Sequence, residues 1–475
     1  MRITTSGLMF LALAATALLA RAPVLAQQVN TLPADVAAKV DGVIADVMNK
    51  TQVPSASVGI VKDGRIAYVR AFGKARLSPP LPASPEMHYA IGSISKQFTV
   101  AAVMVLVQDG KLSIDDPVSN WFPELTRAKE VTLRNLMSHT SGYEDYAPQD
   151  YTIPAWTKPT TAQAIVHGWA TKPLDFDPGT QYQYSNTNFN IVGLIVEKVS
   201  GQPFWSFLKA HVLDPVGLLH TIDLDTEHDR LEPTGYFRYG LGPLRPAIME
   251  APGWYFADGE MAMPVSDLLA WDVSVMDESL LQHSSYAAME TPTKLKNGKE
   301  SSYGLGLSVG DANGHRVVSH TGEVGGFVAS NEVIPDEKFA VAVLTNQEAS
   351  PAASAMSRAI VAVLRPTSSA APDDTAAAEA LARRVLASLQ KGTIDRSLFT
   401  ANANVYFDQQ GLSDFASSLG PLGDIRSVKQ TSTSLRGGMR YRAFAVEFAT
   451  GTHVTLSTYF TNDGKLEQFL VAPAS

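Results

Sequence analysis

The 475-residue chain contains no cysteine. That excludes disulfides, a thiolate nucleophile, cysteine-ligated zinc and lipid attachment through a thiol. Beyond the N-terminus no uninterrupted apolar run nears the ~20 residues that a membrane-spanning helix needs. There is no His-Glu-x-x-His string and no Gly-x-x-x-x-Gly-Lys-Ser/Thr loop, which disfavours a metallohydrolase and a nucleotide enzyme. No metal or cofactor is expected. Charge is sparse at 18%, and 38 Lys+Arg against 47 Asp+Glu leaves a net −9. This argues against general binding to nucleic-acid phosphates. What is abundant is apolar material, 45% of the chain. It suffices for a large core without disulfides. The length suggests two or three domains.

The N-terminus reads as an export signal. Arg2 gives a positive start, Leu8 to Ala20 is nearly all apolar, and Val24-Leu25-Ala26 offers a small-x-small cleavage site before Gln27. Residues 1–26 are therefore expected to be a signal peptide. The mature protein is expected to be periplasmic or secreted, with no stable membrane span after cleavage. The alternative is an N-terminal anchor helix, for which the apolar run is short.

Two regions of strands bracket a helical middle. Residues 33–50 have Val36, Val40, Val43 and Val47 on one helical stripe. Ala56–Val61 and Ile66–Val69 flank Asp63-Gly64 and predict a hairpin. Ser93 to Gln108 reads as an apolar helix stopped by Gly110. Strand patterns return at Arg316–Ser319, Phe327–Ile334 and Phe339–Leu344, followed by a helix over Ala352–Leu364. The fold class is thus α+β, with an antiparallel sheet built from both ends of one domain (residues 27–365) beside a helical region. Residues 366–374 read as a Pro/Ser/Ala linker. Residues 375–475 form a second, smaller α+β unit. Its helix carries Leu381, Val385 and Leu389, its strands alternate at Phe444, Val446 and Phe448, and Asn462-Asp463-Gly464 marks a last hairpin.

Ser93-Ile94-Ser95-Lys96 is a Ser-x-x-Lys string at a helix start. Residues three apart share a helix face, so the lysine amine can reach the serine hydroxyl. Serine needs an adjacent base to become a nucleophile, and a lysine can serve when its surroundings favour the neutral amine. The helix N-terminus also offers amide N–H groups to a developing oxyanion. By itself the string is weak: Ser206…Lys209 and Ser388…Lys391 match it too, inside or late in helical patterns, and read as structural. Tyr184-Ser185-Asn186 is the second element. A tyrosine near a cation can move protons, and an asparagine amide can accept from lysine while donating to a substrate carbonyl. The third is His320-Thr321-Gly322 at a strand end before Gly325-Gly326, where glycine lets a substrate backbone come close. His139-Thr140-Ser141-Gly142 is a look-alike placed in a loop.

Ser-x-x-Lys, Tyr-x-Asn and His-Thr-Gly in this order resemble the superfamily of class C β-lactamases, serine D-Ala-D-Ala peptidases and β-lactamase-like esterases. Leu133–Gly142, Tyr182–Asn186 and Tyr303–Gly306 agree with it, and the resemblance covers about residues 30 to 365. It implies that Ser93 is acylated, Lys96 activates it, and Tyr184 moves protons to the leaving group and later helps activate water. Asn186, His320, Thr321 and Gly322 would hold the substrate, and the amides of Ser93 and Glu323 would form the oxyanion hole. One departure matters. Class C β-lactamases carry lysine where this chain has His320, and a neutral histidine attracts a β-lactam carboxylate less. Peptidase or esterase activity on a small-molecule, peptide or ester substrate is therefore expected ahead of efficient β-lactam hydrolysis. The alternatives are a β-lactamase, or a module that binds penicillin or peptidoglycan without turnover. The second unit resembles a nuclear-transport-factor-2-like cone. It has no evident catalytic cluster, so a stabilising accessory role is expected. The sequence leaves the oligomeric state open.

Overall fold

The structure is a computed structural model, and it describes residues 29–312, 315–365, 376–436, 439–461 and 464–474. The predicted signal peptide, the linker, and Asn462 and Asp463 of the last predicted turn lie outside the described residues.

The first helix, α1, spans Ala34–Thr51 and buries Val40, Ile44 and Val47. The hairpin that follows, Ser55–Lys62 (β1) and Arg65–Arg76 (β2), turns at Asp63-Gly64 as its sequence predicts. β1 is buried at seven of its eight residues, so it belongs in mid-sheet rather than at an edge. Its second neighbour comes from the far end of the domain. Ala342 of the strand Phe339–Thr345 (β5) pairs with Gly59, and Val343 pairs with Val58. The sheet then continues through Phe327–Ile334 (β4) and His315–Val324 (β3) to the edge strand Ser308–Ala312. Every pairing in it is antiparallel.

Helices cover both faces of the sheet. α1 and the helix Ala352–Leu364 pack on one face, against Val58, Ile60 and Val341. The other face meets the larger core of the helical region, whose centre is Ser95–Gln108 (α2). α2 is apolar nearly all round and is almost wholly buried, as such a sequence requires. Phe98 packs on Trp271 with ring centroids 4.4 Å apart. Among the described residues no helix is long and apolar enough to cross a membrane.

Residues 376–474 have their own hydrophobic core. The helices Ala376–Leu389 and Gln409–Leu419 set Leu386, Leu389 and Phe415 against Phe444, Phe448 and Leu456 of a four-stranded antiparallel meander. Register shifts near Ile425 and Gln430 add twist to that sheet. Its strands β6 to β9 are Ile425–Arg436, Met439–Phe448, His453–Phe460 and Leu466–Pro473.

Candidate active site

Ser93 does not begin the long helix directly. It sits in a 3-10 turn, Gly92–Ile94, immediately before α2. Gly92 has φ +51°, and a Cβ there would lie 2.7 Å from the amide nitrogen of Glu323. The opposing residue is also glycine: a Cβ on Gly322 would lie 1.8 Å from the Ile91 carbonyl oxygen and 3.0 Å from the Ser93 nitrogen. Two missing side chains thus let β3 press onto the turn and bring the Ser93 and Glu323 amides together. That pair of N–H groups is suited to a negative oxygen.

Lys96, one turn into α2, is fully buried. Its Nζ lies 2.9 Å from Ser93 Oγ, 2.7 Å from Asn186 Oδ1 and 2.7 Å from the main-chain oxygen of Asp258. The two carbonyl oxygens can only accept, so each takes an N–H. A neutral amine has two N–H bonds and one lone pair. Lys96 Nζ also lies within reach of Ser93 Oγ as a donor, so loss of one proton would leave a lone pair facing that hydroxyl. Asn186 is fixed in turn: its amide Nδ2 donates to the Ala147 carbonyl at 3.2 Å, and its backbone N–H donates to Asp145 Oδ1 at 2.9 Å.

The Tyr184 ring lies 5.1 Å from Lys96 Nζ, and Tyr184 lines the same cleft as Ser93. His139 builds its setting. This ring is completely buried and tilts over the Tyr184 ring at 4.1 Å between centroids. The Ser185 N–H donates to His139 Nδ1 at 3.2 Å, and Gln183 N donates to the His139 carbonyl at 2.9 Å. The string that looked like a stray match is therefore the template for Tyr184. Its leading clue in sequence was its place within Leu133–Gly142.

The structure separates the members of His320-Thr321-Gly322. Thr321, Gly322 and Glu323 line the cleft. His320 is buried, with its ring centroid 6.0 Å from that of Tyr184. Its Nδ1 lies 2.5 Å from the Thr321 carbonyl, so Nδ1 carries the proton, and its Nε2 lies 2.8 Å from the Tyr303 hydroxyl. Burial holds that hydroxyl well above the usual tyrosine range, so Tyr303 keeps its proton. His320 thus stands beside Tyr184 and bonds Tyr303, while Thr321, Gly322 and Glu323 line the cleft on this strand. The two look-alike serines are structural, as expected. Lys209 pairs with Asp214 at 2.7 Å, and Ser388 Oγ donates to the Arg384 carbonyl.

Sequence reasoning missed Asp258. Its carbonyl holds Lys96, while its buried carboxyl accepts from Asn190 Nδ2 at 2.6 Å and from the Tyr146 hydroxyl at 2.8 Å. Burial pushes this carboxyl up to about 7, against the opposing pull of the Lys96 charge and the Tyr146 hydrogen bond. The cleft has a volume of about 460 Å3. Its walls include Tyr146 and Tyr151 from one stretch of chain, and Trp254 and Asp258 from another. Among the described residues, no three His, Asp or Glu side chains are grouped so as to hold a metal ion.

Residues 40–365 match the family described as Beta-lactamase. The chain belongs to that family. It is a serine hydrolase of the beta-lactamase family, with an α+β fold of the penicillin-binding-protein kind. Among relatives, it is 28% identical over 283 residues to the putative penicillin-binding protein PbpX of Bacillus subtilis, covering 59% of this chain and 69% of that one. It is 30% identical over 315 residues to a D-aminopeptidase of Cereibacter sphaeroides, covering 64% of this chain and 59% of that one. The chain thus spans under two thirds of the D-aminopeptidase. Among solved structures, a D-stereospecific amidohydrolase from Streptomyces superimposes with a TM-score of 0.60 at 26% identity, over 70% of this chain and all of that one.

Proposed function

We propose that this family member is an exported acyl-serine hydrolase that cleaves an amide or ester, as a D-Ala-D-Ala-type peptidase, D-amino-acid amidase or esterase ahead of a β-lactamase. One observation carries the reading: the buried Lys96 Nζ lies 2.9 Å from Ser93 Oγ and is held there by Asn186 Oδ1 and the Asp258 carbonyl. Ser93 Oγ attacks the carbonyl carbon as its proton passes to Lys96 Nζ. The amides of Ser93 and Glu323 hold the resulting oxyanion. The C–N or C–O bond breaks as the leaving group takes a proton through the Tyr184 hydroxyl. Water then adds to the acyl-serine, giving its proton to the Tyr184–Lys96 pair. Collapse breaks the bond to Oγ and returns the proton to Ser93.

The names of the relatives, D-aminopeptidase and D-stereospecific amidohydrolase, support the amide end of this range. So does the cleft, because the described residues that line it include no lysine, arginine or histidine to meet a β-lactam carboxylate. Export rests on the pattern of residues 1–26. N-terminal sequencing of the processed protein should begin at Gln27.

The test is intact-mass spectrometry after exposure to a fluorophosphonate and, separately, to a penicillin, with Ser93→Ala alongside. A single fluorophosphonate adduct on Ser93, absent from the variant, is the expected result. A persistent penicilloyl adduct would favour the peptidase, and labelling by the fluorophosphonate alone would favour the amidase or esterase. No adduct on folded protein would overturn the reading.

A further inference from the structure

The C-terminal unit is placed against the cleft by a specific polar seam. Gln468 Oε1 accepts from the Asp150 N–H at 2.7 Å, and Gln468 Nε2 donates to Asp150 Oδ2 at 3.0 Å. The Tyr151 hydroxyl donates to the Glu467 carbonyl at 2.8 Å. Glu467 itself is buried and also accepts from Thr400 and from Asn402 Nδ2. The ion pair of Arg245 with Asp414 and the stacking of Tyr151 on Tyr406 extend the seam. Buried polar groups satisfied in both directions fix one docking geometry.

That geometry has a consequence for the cleft. Tyr441 on β7 and Tyr459 on β8 are directly paired across the meander, with ring centroids 5.2 Å apart. Both line the same cleft as Ser93 and Tyr184. The rest of the lining is rich in carboxyl groups: Asp150, Glu250, Asp258, Glu323 and Glu348. Burial pushes Glu250, Asp258 and Glu348 toward the protonated form, which leaves Asp150 and Glu323 to meet a charged ligand. Three of the five are already aimed by backbone amides on the rim. The Glu250 carboxyl accepts from the Gly325 N–H at 3.0 Å, that of Glu348 from Gly326 at 2.7 Å, and that of Glu323 from Ala349 at 2.6 Å. Aromatic faces and carboxylates share one kind of ligand, a cation.

We propose that the C-terminal unit supplies one wall of the substrate cleft through Tyr441 and Tyr459, and that this wall, with Asp150 and Glu323, selects a substrate group bearing a positive charge, an ammonium or guanidinium. This rests on the hydrolase reading for the word substrate, but the binding preference can be read without turnover. The accessory role expected from the sequence becomes a role in specificity.

The test is calorimetric titration of the full chain carrying Ser93→Ala with three probes of one shape: 2-phenylethylammonium, 2-phenylethanol and 3-phenylpropanoate. The ammonium should bind at least about tenfold tighter than either other probe. Adding Tyr441→Leu should cut that ratio to about threefold or less, and Tyr441→Phe, which keeps the ring face, should preserve it. Tyr459→Leu is read in the same way, should Tyr441→Leu fail to fold. Equal or tighter binding of the carboxylate would overturn the proposal. So would a ratio that neither leucine variant moves in protein with an unchanged melting curve. Ser93 labelling of the wild-type chain judges the hydrolase reading separately, so labelling without a cation preference overturns the cleft assignment alone.

Discussion

Gly322→Ala should abolish most activity while leaving the nucleophile in place. The Cβ it adds would sit 1.8 Å from the Ile91 carbonyl oxygen and 3.0 Å from the Ser93 nitrogen. A carbon and an oxygen without a hydrogen bond need more than 3 Å, so strand or turn must retreat by over about 1 Å. Oxyanion donors work in a window of only about 2.7–3.1 Å, so a retreat of that size removes the Ser93 or the Glu323 amide from it. Loss of one such donor costs about 100- to 1,000-fold in kcat. Overpacking should cost a further 1–3 kcal/mol or so in stability, which a melting curve would register without unfolding the domain at 25 °C. The assay is kcat on an activated aryl ester, beside the rate of fluorophosphonate labelling. Gly42→Ala is the control. It lies in α1 with nothing within 4 Å of its added Cβ, so it should leave kcat unchanged and stabilise slightly, by up to about 1 kcal/mol. If folded Gly322→Ala kept kcat within about threefold of wild type, the two-glycine origin of the oxyanion site would be wrong.

Lys96→Met should lower kcat by about 100- to 10,000-fold, the usual worth of a positioned base, and slow Ser93 labelling in parallel; labelling at the normal rate would refute the base role. Tyr184→Phe should let an acyl-enzyme accumulate, visible as a burst of aryl leaving group followed by slow turnover, and a burst-free linear time course would count against it. His139→Phe keeps a ring over Tyr184 but loses the acceptor for the Ser185 N–H, so kcat should fall by about tenfold while Ser93 remains labelled. Stability should fall as pH rises. Burial raises Glu348 to about 8 and Asp258 to about 7, whereas unfolded carboxyls titrate near 4, so the folded chain binds more protons between those values. Urea midpoints should therefore decline from about pH 5 to about pH 8, and Glu348→Gln should flatten the upper part of that decline; a midpoint that climbs over the window would contradict the assignment.

Much of the architecture was legible because it is written locally. The hairpin at Asp63-Gly64, the strands Phe327–Ile334 and Phe339–Thr345 and the helix Ala352–Leu364 follow from periodicity and turn residues. The cluster of Ser93, Lys96, Tyr184 and Asn186 was legible through order along the chain, and the fold brings these residues together. What escaped has no local signature. Lys96 is held partly by a main-chain carbonyl, which any residue type at position 258 would supply. His139 reads as a turn residue until Tyr184, 45 positions later, is laid against it. His320 precedes residues of the cleft wall, and a three-letter string does not say that its ring stands beside Tyr184 and bonds the Tyr303 hydroxyl. Tyr441 and Tyr459 belong to another core altogether, and only the docking of that unit brings them to Ser93.

The pairing of β1 with β5 has a meaning for biosynthesis. β1 leaves the ribosome with one neighbour, β2, and its second arrives only after about 280 more residues. At about 5–20 residues per second, a buried, apolar strand edge stays open for roughly 15 to 55 s in every nascent chain. The catalytic domain therefore cannot close N-terminal half first.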